Sequence, residues 1–162
     1  MAPRISFASY VECSQRSYLE SLVFFNASQQ RVLDGIIDSI EKFGPPEIVE
    51  EGGRLRVRVA GKTEAQSLFA VDPVTGRPLG MAVYLRSDLE NMAVLHLGIA
   101  EEFTTEGPRS GEHLLSRLLR ELRRCSRRVK GVRRMEVLYL SGRNGLRARP
   151  GGASRRLRPN GR

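Results

Sequence analysis

The segment after position 110 carries the most restrictive pattern in the chain. Leu114, Leu115, Leu118, Leu119, Leu122, Cys125 and Val129 recur at the spacing of one helix face, which predicts a single amphipathic helix. Arg117, Arg120, Arg123, Arg124, Arg127 and Arg128 fill the opposite face. Lys130-Gly131 closes the helix, with cations in the last turns, where the helix dipole favours them. A helix with one leucine face needs another layer to cover it.

The preceding segments alternate instead. Leu55, Val57 and Val59 interleave with Arg54, Arg56 and Arg58, predicting a strand with one apolar and one basic face, entered through the turn Glu51-Gly52-Gly53. Ser67 to Val71, Met81 to Leu85 and Ala93 to Ile99 are three further strands. The turn residues of 72–78 and 88–91 separate them. Such short links make neighbouring strands antiparallel. Met135 to Leu140 is a final strand after the leucine helix. Upstream, Ile5, Phe7, Ser9 and Val11 carry a weak period-two signal. A helix is expected from about Gln15 to Phe25. A second follows an N-cap at Ser28, with Val32, Leu33, Ile36, Ile37, Ile40 and Phe43 at helical spacing, and Gly44-Pro45-Pro46 stops it. The fold class is α+β, a mixed, mostly antiparallel sheet flanked by helices. Residues 1–140 form one domain. In 141–162 no apolar period survives, and this stretch is expected to be a basic, disordered tail.

Charge is unevenly placed within the net of +9. Residues 1–110 hold 11 Lys/Arg against 15 Asp/Glu, residues 111–140 hold 9 against 3, and residues 141–162 hold seven Arg and no acid. The basic end therefore suits an anionic partner. Two cysteines, Cys13 and Cys125, and two histidines make neither a disulfide framework nor a metal site. They are expected to be free, mostly buried thiols. No apolar stretch approaches the roughly 20 residues of a membrane span and no signal-peptide core opens the chain, so a cytoplasmic protein with no membrane partner is expected.

The strand Ala93–Ile99 is read with Ala93, Leu95, Leu97 and Ile99 on one face and Val94, His96 and Gly98 on the other. Gly98 inside a strand suggests a bulge or the close approach of another group, such as a ligand. The loop Thr104-Thr105-Glu106-Gly107-Pro108-Arg109-Ser110-Gly111 runs directly into the leucine helix. The amides opening a helix have no internal acceptor and sit at its positive end, so glycines there let a phosphate approach the backbone. Arg109 adds charge and Ser110 a hydroxyl donor. The bland alternative makes Ser110 an N-cap and Gly107-Pro108 a turn.

From Leu68 to Leu140 the chain resembles the GNAT superfamily of acyl-CoA-dependent N-acyltransferases. The resemblance is carried by Phe69-Ala-Val-Asp72, by Gly76-Arg-Pro-Leu-Gly-Met-Ala-Val-Tyr84 and by Val94-Leu-His-Leu-Gly-Ile99. The phosphate loop, Leu114-Leu115 and Val132-Arg-Arg-Met-Glu-Val-Leu-Tyr139 follow. It implies two N-terminal helices, three antiparallel strands, a pyrophosphate loop with its helix, and then a parallel strand. It also implies acetyl-CoA as cosubstrate. Leu97, Gly98 and Ile99 would pair with the pantetheine chain, and amides across Gly107, Arg109, Ser110, Gly111, Glu112 and His113 would bind the pyrophosphate. An amine acceptor would attack the thioester directly. His96 could be the base, since its ordinary pKa of about 6.5 suits proton transfer near neutrality. Glu90 and Glu101 are alternatives, and Tyr84 or Tyr139 could donate a proton.

The chain departs from the family's loop pattern at two places. Glu106 replaces the leading Gln or Arg, and Arg109 replaces the middle glycine. After Leu140 the family's further helix, which often carries a tyrosine acid, is hinted at only by 143–148 before Arg149-Pro150-Gly151-Gly152 breaks it. A second subunit in a homodimer could supply the missing wall. Three functions stay open: an N-acetyltransferase acting on an amine, a non-catalytic CoA-binding relative, and a nucleic-acid-binding protein acting through its Arg-rich helix face and tail. Against the last, the basic segments lack interleaved aromatics.

Overall fold

A computed structural model describes residues 4–24, 33–104 and 106–137. Strands β1 (Ser6–Ala8) and β2 (Val11–Glu12) open the chain, and helices α1 (Arg16–Val23) and α2 (Leu33–Phe43) follow. Next come β3 (Pro46–Glu51), β4 (Arg54–Val59), β5 (Gln66–Val71), β6 (Pro78–Arg86) and β7 (Asn91–Ile99). Helix α3 (Leu114–Arg128) and strand β8 (Arg134–Val137) complete the described chain.

The strands make two sheets, one in the order β1-β5-β6-β7-β8 and the other β2-β4-β3. All neighbours are antiparallel except β7 and β8, which are parallel. The expected mixed, mostly antiparallel sheet flanked by helices is therefore present, with antiparallel β5, β6 and β7, then loop, helix and parallel strand in the implied order.

The early alternating run does not make one strand. It splits, β1 pairing with β5 and β2 with β4. Ser67 sits at the split. Its buried hydroxyl accepts the Val57 N–H at 3.3 Å and donates to the Ser9 carbonyl at 3.2 Å, joining the two sheets.

β3 was not expected, because Gly44-Pro45-Pro46 signals only a helix stop. Pro46 instead opens an edge strand, where its missing N–H costs no ladder bond. Gly52 and Gly53 both have positive φ, 59° and 77°, the backbone a two-residue hairpin demands. Leu55, Val57 and Val59 are buried as expected. The basic face of β4 is matched by β3, with Arg58 reaching Glu47 at 3.0 Å and Arg56 reaching Glu51 at 2.9 Å.

One core runs through both sheets, with α1 contributing Leu19, Leu22 and Val23, and α3 contributing Leu114, Leu118 and Leu122. The latter three are at most 1% exposed, while Leu115, Leu119, Cys125 and Val129 lie half-buried along the flank. No helix among the described residues is long and apolar enough to cross a membrane. The cysteines are free, but Cys13 is exposed rather than buried and donates to the Gly53 carbonyl. Residues 141–162 and the end of the last expected strand lie outside the described residues.

Candidate functional site

The site is built around β7. Its register with β6 shifts once: Val83 opposes His96 and Tyr84 opposes Val94, so Leu95 is the extra residue of a bulge. Opposed residues share a face, so Val94 and His96 point to opposite sides. The expected strict alternation through this strand therefore breaks at Leu95. Ser39 of α2 donates its hydroxyl to the Leu95 carbonyl at 2.7 Å. The parallel register with β8 runs from Asn91 to Val94, and Leu97, Gly98 and Ile99 continue towards the loop.

His96 is 4% exposed. Its Nε2–H donates to the carbonyl of Val23, the last residue of α1, at 3.1 Å. Burial pushes its pKa down from 6.5 to about 4, opposed by the bond to Val23. The ring is therefore neutral near pH 7, with its proton committed to α1. Gly98 has a matching reason: a Cβ there would run into the Leu22 carbonyl oxygen. The group that approaches this glycine closely is the end of α1.

The other weighed residues are dispersed. Glu90 is exposed in the turn before β7, and its carbonyl accepts the N–H groups of Arg133 at 2.7 Å and Arg134 at 3.1 Å. Eight residue steps along the strand separate it from Gly98, roughly 25 Å. Glu101 is exposed at the opposite end of the strand. Tyr84 faces the α3 side, its hydroxyl 3.4 Å from Gln66 Oε1, and burial raises its pKa. Tyr139 lies outside the described residues.

The loop is more structured than its composition suggests. A 3-10 turn spans Glu101–Phe103 and another Ser110–Glu112. His113 then adopts the left-handed conformation, φ 51°, and serves as N-cap of α3 without a side-chain cap bond. Ser110 is therefore not the helix cap. The N–H groups of Gly107, Arg109, Ser110, Glu112 and His113 all donate to carbonyls within this segment, at 2.7 to 3.2 Å. The opening amides of α3, from Leu114 to Ser116, are of the kind a helix leaves without an internal acceptor. Arg109 is engaged as well. Its Nε meets Glu112 Oε2 at 2.5 Å, its Nη2 meets Oε1 at 3.1 Å, and its guanidinium lies 4.2 Å over the Phe103 ring. The bond from Arg109 holds the Glu112 carboxyl below the usual range. The three-residue spacing of Arg109 and Glu112 was the available signal for this pair.

Beside the loop an open cleft of about 870 Å³ lies between α1, the start of β6 and the turn after β7. Sequence reasoning gave no sign of it, because its walls come from three distant segments. Tyr18 and Phe24 are its aromatic side, and Glu20, Glu101 and Glu102 its acidic side. Arg77 lies 5.1 Å over the Tyr18 ring and 2.8 Å from Glu102 Oε1. That approach is close without hydrogen-bond alignment, since among the described residues Glu102 Oε1 has no hydrogen-bond partner. The described residues contain no cluster of three or more His, Cys, Asp or Glu placed to hold a metal.

Strand order, bulge and loop together define an α+β protein whose central strand leads into a structured loop and an amphipathic helix. One similar solved structure is a GNAT family acetyltransferase of Staphylococcus aureus subsp. aureus USA300_TCH1516. It is 16% identical, with 94% of this chain and 98% of that chain covered and a TM-score of 0.43. A second, from Desulfovibrio desulfuricans and described as an acetyltransferase of the GNAT family, is 16% identical over 75% of this chain and 68% of that one, with a TM-score of 0.36. No family model matches the sequence, and no curated protein does.

Proposed function

We propose that this chain is an acyl-CoA-dependent N-acetyltransferase that moves an acetyl group from acetyl-CoA to a primary amine. The observation that carries the reading is the run β5-β6-β7, loop, α3, β8, with β7 antiparallel to β6 but parallel to β8 and bulged at Leu95. In this reading the pantetheine chain lies along Leu97 to Ile99 and the pyrophosphate at the start of α3, where Leu114 to Ser116 supply amides. The amine nitrogen attacks the thioester carbon, the C–N bond forms and the C–S bond breaks. The amine proton passes to water and the thiolate takes one up. His96 acts here as a positioning residue, holding α1 against β7. The acidic cleft suits a cationic acceptor.

A second reading is favoured by the loop itself. The amides of Gly107, Arg109, Ser110, Glu112 and His113 are internally bonded and Arg109 is held by Glu112, as in a relative that keeps the fold without turnover.

Calorimetric titration of acetyl-CoA, followed by thiol release with a panel of primary amines, tests both. Saturable one-to-one binding with amine-dependent thiol release supports the transferase. Binding with no release for any amine selects the non-catalytic relative, and no heat at millimolar ligand removes both.

A further inference from the structure

Helix α3 spans 15 residues and turns six arginines away from its leucine face. Glu121 is the single acid within the helix, and Arg124 holds it at 2.7 Å. Arg120, Arg123, Arg127 and Arg128 are exposed and have no carboxylate partner among the described residues. Arg120 has Arg117, Arg123 and Arg124 three or four positions away, and Arg124 has Arg127 and Arg128. Like charges at those spacings repel. An exposed helix under no other demand mixes both signs. This one stays folded because Leu114, Leu118 and Leu122 anchor it in the core, and its outer face keeps an unneutralised row of charge.

We propose that this face is a docking surface for the phosphate backbone of double-stranded nucleic acid. Guanidinium groups present a planar fork that matches phosphate oxygens two at a time. They recur at each helical turn over roughly 16 Å, so several phosphates of one duplex can be met together. No aromatic interrupts the row, so stacking on unpaired bases does not contribute, and contacts to the backbone alone carry no sequence information. A membrane surface fits less well, because an interfacial helix turns an apolar face to lipid and the apolar face of α3 is in the core. The surface is independent of acetyl transfer.

Fluorescence anisotropy of the full chain with mixed-sequence duplexes of DNA and of RNA tests it. Binding should show no sequence preference and weaken about a hundredfold between 50 and 200 mM salt if about four phosphates are neutralised. The variant Arg120→Gln/Arg123→Gln/Arg127→Gln/Arg128→Gln should keep the wild-type circular dichroism, bind at least tenfold more weakly at 50 mM salt and lose most of its salt dependence. Should it misfold, Arg120→Gln/Arg127→Gln gives the same test with a smaller loss. The tail holds seven arginines of its own, so unchanged affinity in these variants overturns the proposal. Absence of duplex binding at 50 mM salt overturns it too, as does tighter binding to vesicles of anionic phospholipid.

Discussion

His96 and Gly98 bring two physical effects to one place. The imidazole is buried and neutral, and its folded pKa of about 4 lies below the ordinary 6.5. The unfolded chain therefore binds the extra proton first, so stability is fully present above about pH 6.5 and falls as the pH drops towards 4. The full effect is roughly 3 kcal/mol. Chemical denaturation at pH 7 and at pH 4.5 should show most of that loss, and His96→Gln should show a smaller one over the same window. An equal loss in the variant would assign the pH dependence to carboxylates elsewhere. At Gly98, alanine would push its Cβ into the Leu22 carbonyl. Gly98→Ala should destabilise by about 1 to 3 kcal/mol through displacement of α1, read as a lowered denaturation midpoint with an unchanged slope. Neither role is legible in the sequence, where the histidine suits a base and the glycine a ligand. Both face α1, whose partner strand is some seventy residues away in the chain.

Among the elements, α3 was the most legible, because leucine periodicity does not depend on distant contacts. Its start was less so. The sequence runs the loop directly into the helix, with a cap at Ser110 as the bland alternative, but the chain inserts a second 3-10 turn and a left-handed His113 before the helix begins. That loop sets the prediction at this scale. Arg109 is bound by Glu112, so a pyrophosphate at the start of α3 would have to compete with a carboxylate for it. Glu112→Gln removes that competitor and one like-charge repulsion. If the proposed cosubstrate binds here, calorimetry should find acetyl-CoA bound several-fold more tightly by the variant. Weaker binding would mean that the pair organises the loop and that Arg109 does not reach the phosphates.

For the whole molecule, the two sheets are joined by a common core and by the Ser67 hydroxyl. The chain should therefore unfold in one transition rather than sheet by sheet. Ser67→Ala leaves a buried N–H of Val57 and the Ser9 carbonyl to find other partners. The expected cost is about 1 to 3 kcal/mol with a single transition retained, checked by comparing far-ultraviolet and near-ultraviolet melting curves. Two separated transitions in the variant would show that the hydroxyl rather than the core couples the sheets. The sequence by itself determined the class of element in most of the chain: the leucine helix, the alternation of β4, the turn at Gly52-Gly53 and the antiparallel run before the loop. These follow from periodicity and turn chemistry, which act over a few residues. Only the tertiary structure decided which sheet each half of the first alternating run joins, that Pro46 opens a strand, where β7 bulges, and that the His96 ring bonds to the end of α1. Those outcomes depend on which backbone groups meet across long separations, and hydrogen bonds of that kind leave no local pattern in the chain.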